Sequence, residues 1–533
     1  MLDKMSPNQR LIVAVLLSVI FFVGYTAIFP PAEPNVPNET AAKQEAVQDN
    51  TKDISKKVEE VSGHAIAAEE KASSSSSSNI VTVTNEKFIL KIDTLGRIAS
   101  KELLEDKFRN DEDLHAQVIP AQGTKPLYIR FSDDAINDEA IRTPYSASVS
   151  EVTLKDEPVT VTLTQKLSAV TVTKVLTFYA DGHYDVKISL SKDVRHYVYL
   201  GDRPQVSKKL MAVAGALIYT GDDVAHIIED GDAEGRQIFS DVKLASSFDQ
   251  YTAIIFYGFK KDTNVIVERG RNDNPIVYFD AAQNESLHGY IGPKEHKILH
   301  AIDPVLTNAI EYGWFTFAAK PLFALLSWLH GIFGNWGWAI IALTAIIRAV
   351  LYPLTYKGMV SMQKMKELAP KLKELKEKYG KDPQKLNAMT MEMYKKHGAN
   401  PLGGCLPMLL QIPVFFALYR TLLNAVELQG APWILWINDL SRMDPYYVLP
   451  ILMGASMFLQ QKMTPNNFTD PMQEKVFKYL PIIFTFFFVT FPSGLVLYWF
   501  VNNLFSIAQQ YIVNQQFRNA KDAKAALEKK SEN

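Results

Sequence analysis

Between residues 338 and 513 the chain runs apolar five times, each run close to the width of a bilayer, and positive charge gathers in alternate gaps between the runs. A hydrocarbon core about 30 Å thick takes roughly 20 apolar residues as a helix, and only helices and closed barrels satisfy their own backbone inside it. The runs at 338–356, 403–423, 446–460, 476–491 and 495–513 are therefore read as membrane helices. A sixth, 11–29, follows the basic segment 1–10 without a small-x-small cleavage site before Pro30, and is read as a retained signal anchor. The fold class that follows is a polytopic α-helical membrane protein of six spans.

Loop charge orients the spans, because cytoplasmic loops collect Lys and Arg. The loop 357–401 is dense in lysine, whereas 424–445 carries Arg442 against Glu427, Asp439 and Asp444. Lys462 and Lys475 mark the loop 461–475, and Arg518, Lys521, Lys524, Lys529 and Lys530 mark a basic tail at 514–533. Both termini then face the cytoplasm. The long segment between the first two spans faces the periplasm.

That segment has three parts. Residues 30–79 are rich in Pro, Ala, Glu, Lys and Ser and close on a serine run at 73–78, too poor in apolar side chains to fold, so they read as a flexible linker. Residues 80–312 form an all-β domain: 80–84, 88–93, 159–164, 169–178 and 184–190 alternate apolar and polar residues and are rich in Val, Ile and Thr, which suggests a sandwich. Residues 313–335 mix Phe, Leu and Trp with Lys320 and His330 and read as an amphipathic helix lying in the interface.

Several classes of function fall away. The net charge of -2 and the clustering of lysine beside apolar runs give no reason to expect nucleic acid as a partner. The single cysteine, Cys405, excludes an intramolecular disulfide and a multi-cysteine metal site. There is no Walker loop, Rossmann glycine pattern, GxSxG or HExxH. An enzyme, a cofactor and a metal are accordingly not expected.

Arg348 is the one formal charge in the interior of the second span, where an arginine costs at least about 2.5 to 3.5 kcal/mol unless it meets water or a partner. Thr344 lies one helical turn before it and Thr355 follows on the same stripe. Snorkelling to the cytoplasmic interface is the plain alternative. The last span brings Tyr498, Trp499, Asn502, Asn503, Ser506, Gln509 and Gln510 into an arc of roughly 140°. Either this arc lines water or it glues a bundle through interhelical hydrogen bonds. With no acid inside the spans to pair with Arg348, a water-filled cavity is the more economical reading. The third span adds Pro407, Gln411 and Pro413, and the short fifth span contains Pro481 among several phenylalanines, which implies tilt or a locally thinned bilayer.

The loop 357–401 reads as a helical hairpin. Met365, Leu368, Leu372, Leu375 and Tyr379 form a seam, Gly380 breaks it, and Asp382 caps a second helix that opens with Pro383. Lys371, Lys373, Lys376 and Lys378 face outward, for anionic lipid or for a docking partner.

In residues 344–353 (TAIIRAVLYP), 400–407 (NPLGGCLP, running on to Gln411, Ile412 and Pro413), 444–453 (DPYYVLPILM) and 491–498 (FPSGLVLY) the chain resembles the YidC-type insertases, related to those of mitochondria and chloroplasts. The string YIGPK at 290–294 and the large insert are similar to the Gram-negative form. The resemblance covers nearly the whole chain. It implies a hydrated groove open to cytoplasm and lipid, with Arg348 and Thr344 matching its arginine and threonine, beside Gln411, Tyr498, Trp499, Asn502, Ser506 and Gln509. It also implies a substrate slide at Ile412, Pro413, Phe415 and Phe487, and a periplasmic domain resembling a β-supersandwich of sugar-binding ancestry. The partners it implies are nascent membrane proteins, the Sec translocon with its accessory subunits, the ribosome through hairpin and tail, and the lipid bilayer. Two positions depart from the pattern: Trp499 replaces the second of two adjacent tyrosines, and Arg420 stands where an uncharged aromatic is expected, read here as snorkelling to the periplasmic surface. The rival functions are an anion transporter or channel, which would call for internal repeats that the sequence lacks, and a membrane-anchored periplasmic binding protein.

Overall fold

The computed structural model describes residues 78–531 apart from 110–113, 207–212, 271–272, 312–315, 381, 399–405 and 464–470. The expected anchor at 11–29, the segment 1–10, the linker up to residue 77 and Cys405 lie outside the described residues. Two compact units divide the chain after Ile310.

The first unit is built from three sheets, one of nine strands and two of five. All five stretches that alternate in sequence are strands, and their alternation is realised as burial: in Val159–Lys166, Thr171–Phe178 and His183–Leu190 every second side chain is inward. Register then stacks Val161, Leu176, Val186 and Leu287 as one buried row across four strands of the nine-stranded sheet. Gly215–Thr220, Val242–Phe248, Thr252–Tyr257 and Pro275–Ala281 are covered on both faces and so show no alternation. Phe256 meets Phe279 edge-on at 6.1 Å, joining the nine-stranded sheet to the sheet that contains Pro275–Ala281. Helices α1 (Asp134–Arg142) and α2 (His296–Ile302) complete the unit, α1 capped by Asp133.

Two fully buried lysines stitch these sheets together. Lys101 donates to the carbonyls of Gly182 and Ile291, and Lys174 donates to those of Gly96 (2.9 Å) and Leu127 (2.8 Å). Each ammonium also lies over a ring, Lys101 over Phe88 and Lys174 over Tyr145. Burial outweighs the nearby carboxylates and pushes both groups down to about 7.

The second unit is helical: α3 (Thr316–Phe333), α4 (Trp336–Tyr379), α5 (Pro383–Lys396), α6 (Leu406–Asn424), α7 (Val448–Met463), α8 (Pro471–Phe488) and α9 (Ser493–Ser531). Its core gathers Leu326, Ile340, Leu343, Leu418, Leu422, Met453, Phe488, Leu495 and Val496 from α3, α4, α6, α7, α8 and α9. Gly454 lets α7 and α8 close up, since a Cβ there would sit 1.9 Å from the Thr485 hydroxyl. By length and composition α3 and α4 are apolar enough to cross a membrane, and the apolar part of α8, Phe477–Phe488, is shorter.

Two boundaries and the character of α3 differ from the sequence reading. The second span and the first arm of the hairpin are one helix of 44 residues, continuous through Pro353 and Pro370, which at 1.5 Å per residue is about 66 Å. The last span likewise continues through the basic tail to Ser531. α3 is less amphipathic than expected, because Phe317, Trp328 and Ile332 are exposed on the side away from buried Phe323, Leu326 and Leu329, and Phe333 is exposed at the helix end. Its polar content is too small to define a wet face.

The buried lysines make the first unit sensitive to alkali in a defined direction. Between about pH 7 and 10.5 the unfolded chain holds protons at Lys101 and Lys174 that the folded chain has released, so stability rises with pH across that window. Thermal unfolding of the β unit within the whole chain, followed by circular dichroism from pH 7 to 10, should show this rise. Lys174→Met should cut the slope by about half, since Lys101 still contributes.

Candidate functional site

Arg348 reaches from α4 to α9. Its Nε donates to Asn502 Oδ1 (2.7 Å), and its Nη2 donates to the Asn502 carbonyl (3.0 Å) and to Ser506 Oγ (2.5 Å). The guanidinium is half-buried, no described carboxylate pairs with it, and its Nη1 bonds to no described residue. A single helical turn separates Asn502 from Ser506, so the two acceptors present themselves to one planar donor. Lower on the same two helices Gln509 Nε2 donates to Thr355 Oγ1 (2.7 Å), a second rung that holds α4 and α9 in register.

The polar arc of α9 thus divides in two. Asn502, Ser506 and Gln509 face α4, while Asn503 Nδ2 donates to Ser456 Oγ on α7 (3.1 Å) and Gln510 donates to Asn514, whose own amide donates to the Met463 carbonyl (3.3 Å). The second half is interhelical hydrogen bonding of the kind that satisfies polar groups away from water. Thr344 is 1% exposed and donates back to the Ile340 carbonyl (2.7 Å), so its hydroxyl is spent on its own helix. Tyr498 is buried and shares a side-chain hydrogen bond with Gln411 of α6.

Trp499 sits at the centre of an aromatic cluster. Phe415 of α6 meets it edge-on at 4.6 Å, and Phe488 and Phe484 of α8 lie at 5.0 and 6.0 Å. An indole at this position therefore ties α6, α8 and α9 together. Around the cluster Ile412, Pro413 and Phe487 are exposed, and Ile482, Ile483 and Phe486 are more exposed still. Phe415 is the one slide candidate that faces inward.

In the hairpin, Gly380 ends α4, and Asp382 Oδ1 accepts from the Lys385 amide to start α5. Leu368 is buried in the seam, and Lys371, Lys373, Lys376 and Lys378 are exposed. Lys371 also approaches His397, the C-cap of α5, at 3.4 Å. These lysines lie on the C-terminal arm of α4, about 35 Å or more along the helix from Arg348 at 1.5 Å per residue.

Arg420, expected to snorkel, keeps 30% of its side chain exposed and has an acid beside it. Its Nη1 lies 3.8 Å from the carboxylate of Glu311, which is 4% exposed and also accepts from Asn424 Nδ2 (3.2 Å). Glu311 was not singled out in the sequence, because it precedes the helical run rather than interrupting it.

Residues 328–521 match the family model described as 60Kd inner membrane protein, and residues 249–325 match the one described as YidC periplasmic domain. A curated relative from Wolinella succinogenes, named membrane protein insertase YidC, is 48% identical over 526 residues and covers 98% of each chain. Relatives of the same name from Campylobacter jejuni and Helicobacter pylori are 45% and 44% identical, covering 97% and 98% of each chain.

The aromatic cluster carries a stability prediction. Trp499→Ala should cost on the order of 2 kcal/mol by leaving Phe415, Phe484 and Phe488 without a common partner, whereas Trp499→Tyr should cost much less. Unfolding of the detergent-solubilised chain measures both.

Proposed function

The chain belongs to the family of YidC membrane protein insertases, and we propose that it inserts its clients along a polar groove between α4 and α9, with α6 and α8 as the lipid-facing slide. The observation that carries this reading is the state of Arg348. Its charge is held in place by neutral acceptors, and Nη1 has no partner among the described residues, which leaves it for a further anionic group. A client tail bearing Asp or Glu would find there a cation that has already been desolvated and oriented, so the tail avoids part of the cost of leaving water. The exposed Ile412, Pro413, Phe486 and Phe487 would then receive the client's apolar segment as it passes into lipid.

The chain is an inner-membrane protein with a periplasmic domain. For its topology we infer six spans, at 11–29, 338–356, 403–423, 446–460, 476–491 and 495–513, with both termini in the cytoplasm. Parity supports an interfacial α3. The lysine-rich hairpin after α4 belongs in the cytoplasm by its charge, so a single crossing, that of α4, must separate it from the β unit. A crossing by α3 as well would put both on one side. Exposed Phe317 and Trp328 suit the interface, where aromatic side chains are enriched.

The clients are nascent membrane proteins. The hairpin lysines Lys371, Lys373, Lys376 and Lys378 and the basic end of α9 offer a cationic surface suited to a ribosome, and the Sec translocon with its accessory subunits is the partner for clients with larger external parts. No nucleotide is required, since one negative charge moving outward gains about 2.3 kcal/mol per 100 mV of membrane potential.

Replacing Arg348 separates charge from geometry. Arg348→Lys keeps the cation but cannot span Asn502 and Ser506 together, so it should retain part of the activity. Arg348→Ala should lose clients with acidic tails first. Insertion of one client with a graded number of tail acids, measured in wild type and both variants, decides the point: a defect that ignores tail charge would sink the electrostatic reading.

A further inference from the structure

The connection between α6 and α7 is held more tightly than a loop between two helices requires. Val426, Leu428, Ile437 and Leu440 are buried in the helical core. Asp444, itself 1% exposed, accepts from Trp436 Nε1 (3.0 Å) and from the amides of Tyr446 (3.0 Å) and Leu449 (2.7 Å). The carbonyls of Leu440 and Arg442 accept from Gly494 and Ser493 at the start of α9, and Asn335 Nδ2 donates to the carbonyls of Pro432 and Trp433. Trp433 also lies against Gly337, where a Cβ would come within 2.1 Å of its ring.

Most of what this frame holds outward is apolar, Asn438 and Arg442, the latter paired with Asp439, being the exposed polar exceptions. Leu435 is 78% exposed and Tyr446 67%, and Ile434, Met443 and Tyr447 are exposed beside them. The amide of Ile437 donates to Ile434, closing a turn in which Leu435 takes the first central position with φ +54°, a place glycine normally fills. Tyr447 also has left-handed backbone, at φ +58°. Two large side chains are therefore displayed from strained positions, and exposure to water offers nothing in return. No charged residue lies between 432 and 437.

We propose that this loop is a lipid anchor, with Leu435 and the pair Tyr446 and Tyr447 seated at the boundary between headgroups and acyl chains of the leaflet that α6 and α7 reach at that end. Lipid fits better than a protein partner because exposed apolar side chains carry on along the chain from Tyr446 and Tyr447 into the first turn of α7. Ile451 and Leu452 are exposed one turn into α7, and Phe333 and Trp338 are exposed at the α3–α4 corner to which Asn335 ties the loop. Tyrosine and tryptophan are the side chains that favour this depth. The proposal rests on the reading of α6 and α7 as spans.

The test uses the full chain with Cys405→Ala and one new cysteine carrying an environment-sensitive nitrobenzoxadiazole dye, reconstituted in vesicles of phosphatidylethanolamine and phosphatidylglycerol. Dye positions are Leu435→Cys and Tyr446→Cys, with Ile451→Cys as the span reference and Lys155→Cys as the aqueous one. At 435 and 446 the emission should be blue-shifted relative to 155 and quenched more by lipid spin-labelled near the headgroup than by lipid labelled deep in the chain. Quenching at 451 with water-like emission at 435 and 446 would overturn the anchor alone, whereas absence of quenching at 451 would overturn the span reading beneath it. A blue shift at 435 that no spin-labelled lipid quenches would mean that protein covers the loop, and would overturn the proposal as well. Leu435→Gly, read with the dye at 446, should relieve the strained turn yet weaken shallow quenching, and unchanged quenching would remove Leu435 from the anchor.

Discussion

A guanidinium held between two packed helices has to be satisfied, and how it is satisfied determines what the rest of the helical unit can do. A buried carboxylate would have neutralised Arg348 and left the site inert toward anions, as Glu311 does for Arg420 at the other end of α6. Amide and hydroxyl oxygens hold the cation without cancelling it. The requirement propagates outward. Asn502 and Ser506 must sit one turn apart on α9, α9 must keep its rotation relative to α4, and the Thr355–Gln509 bond together with the Trp499 cluster fixes that rotation from either side.

The same contrast between neutral acceptors and counter-ions runs through the β unit. Lys101 and Lys174 are also cationic groups taken out of water and given carbonyl oxygens rather than acids, and they answer by shedding protons near neutrality. A lysine has that option and an arginine does not, so the two residue types solve one physical problem in opposite ways. In the β unit the result is mechanical, a tie between sheets. In the helical unit the charge persists.

Much of this was legible in the sequence, for physical reasons that also mark where reading stops. Strands such as Thr171–Phe178 announce themselves because one face is wet, whereas Thr252–Tyr257, buried on both faces, carries no period to read. The polar arc of the last span was visible as an arc, but a helical wheel gives direction and not neighbour. That Asn502 meets Arg348 while Asn503 meets Ser456 follows only from packing. The hairpin and the second span were read as separate elements because hydropathy changes at the membrane surface, although the helix itself does not. Arg420 was noticed as odd, yet its partner lay over a hundred residues away and outside any span.

That unbroken helix makes α4 a lever. From Arg348 to Tyr379 it extends about 47 Å, so a sideways push of about 4 Å at the tip turns the rod by about 5° around the guanidinium. Pro353 and Pro370 interrupt its hydrogen-bond ladder, and proline is where such rods bend. Load applied at the far end of α4 therefore reaches the Asn502 and Ser506 contacts as torque, softened at two fixed joints, and the compliance of those joints sets how much of it arrives.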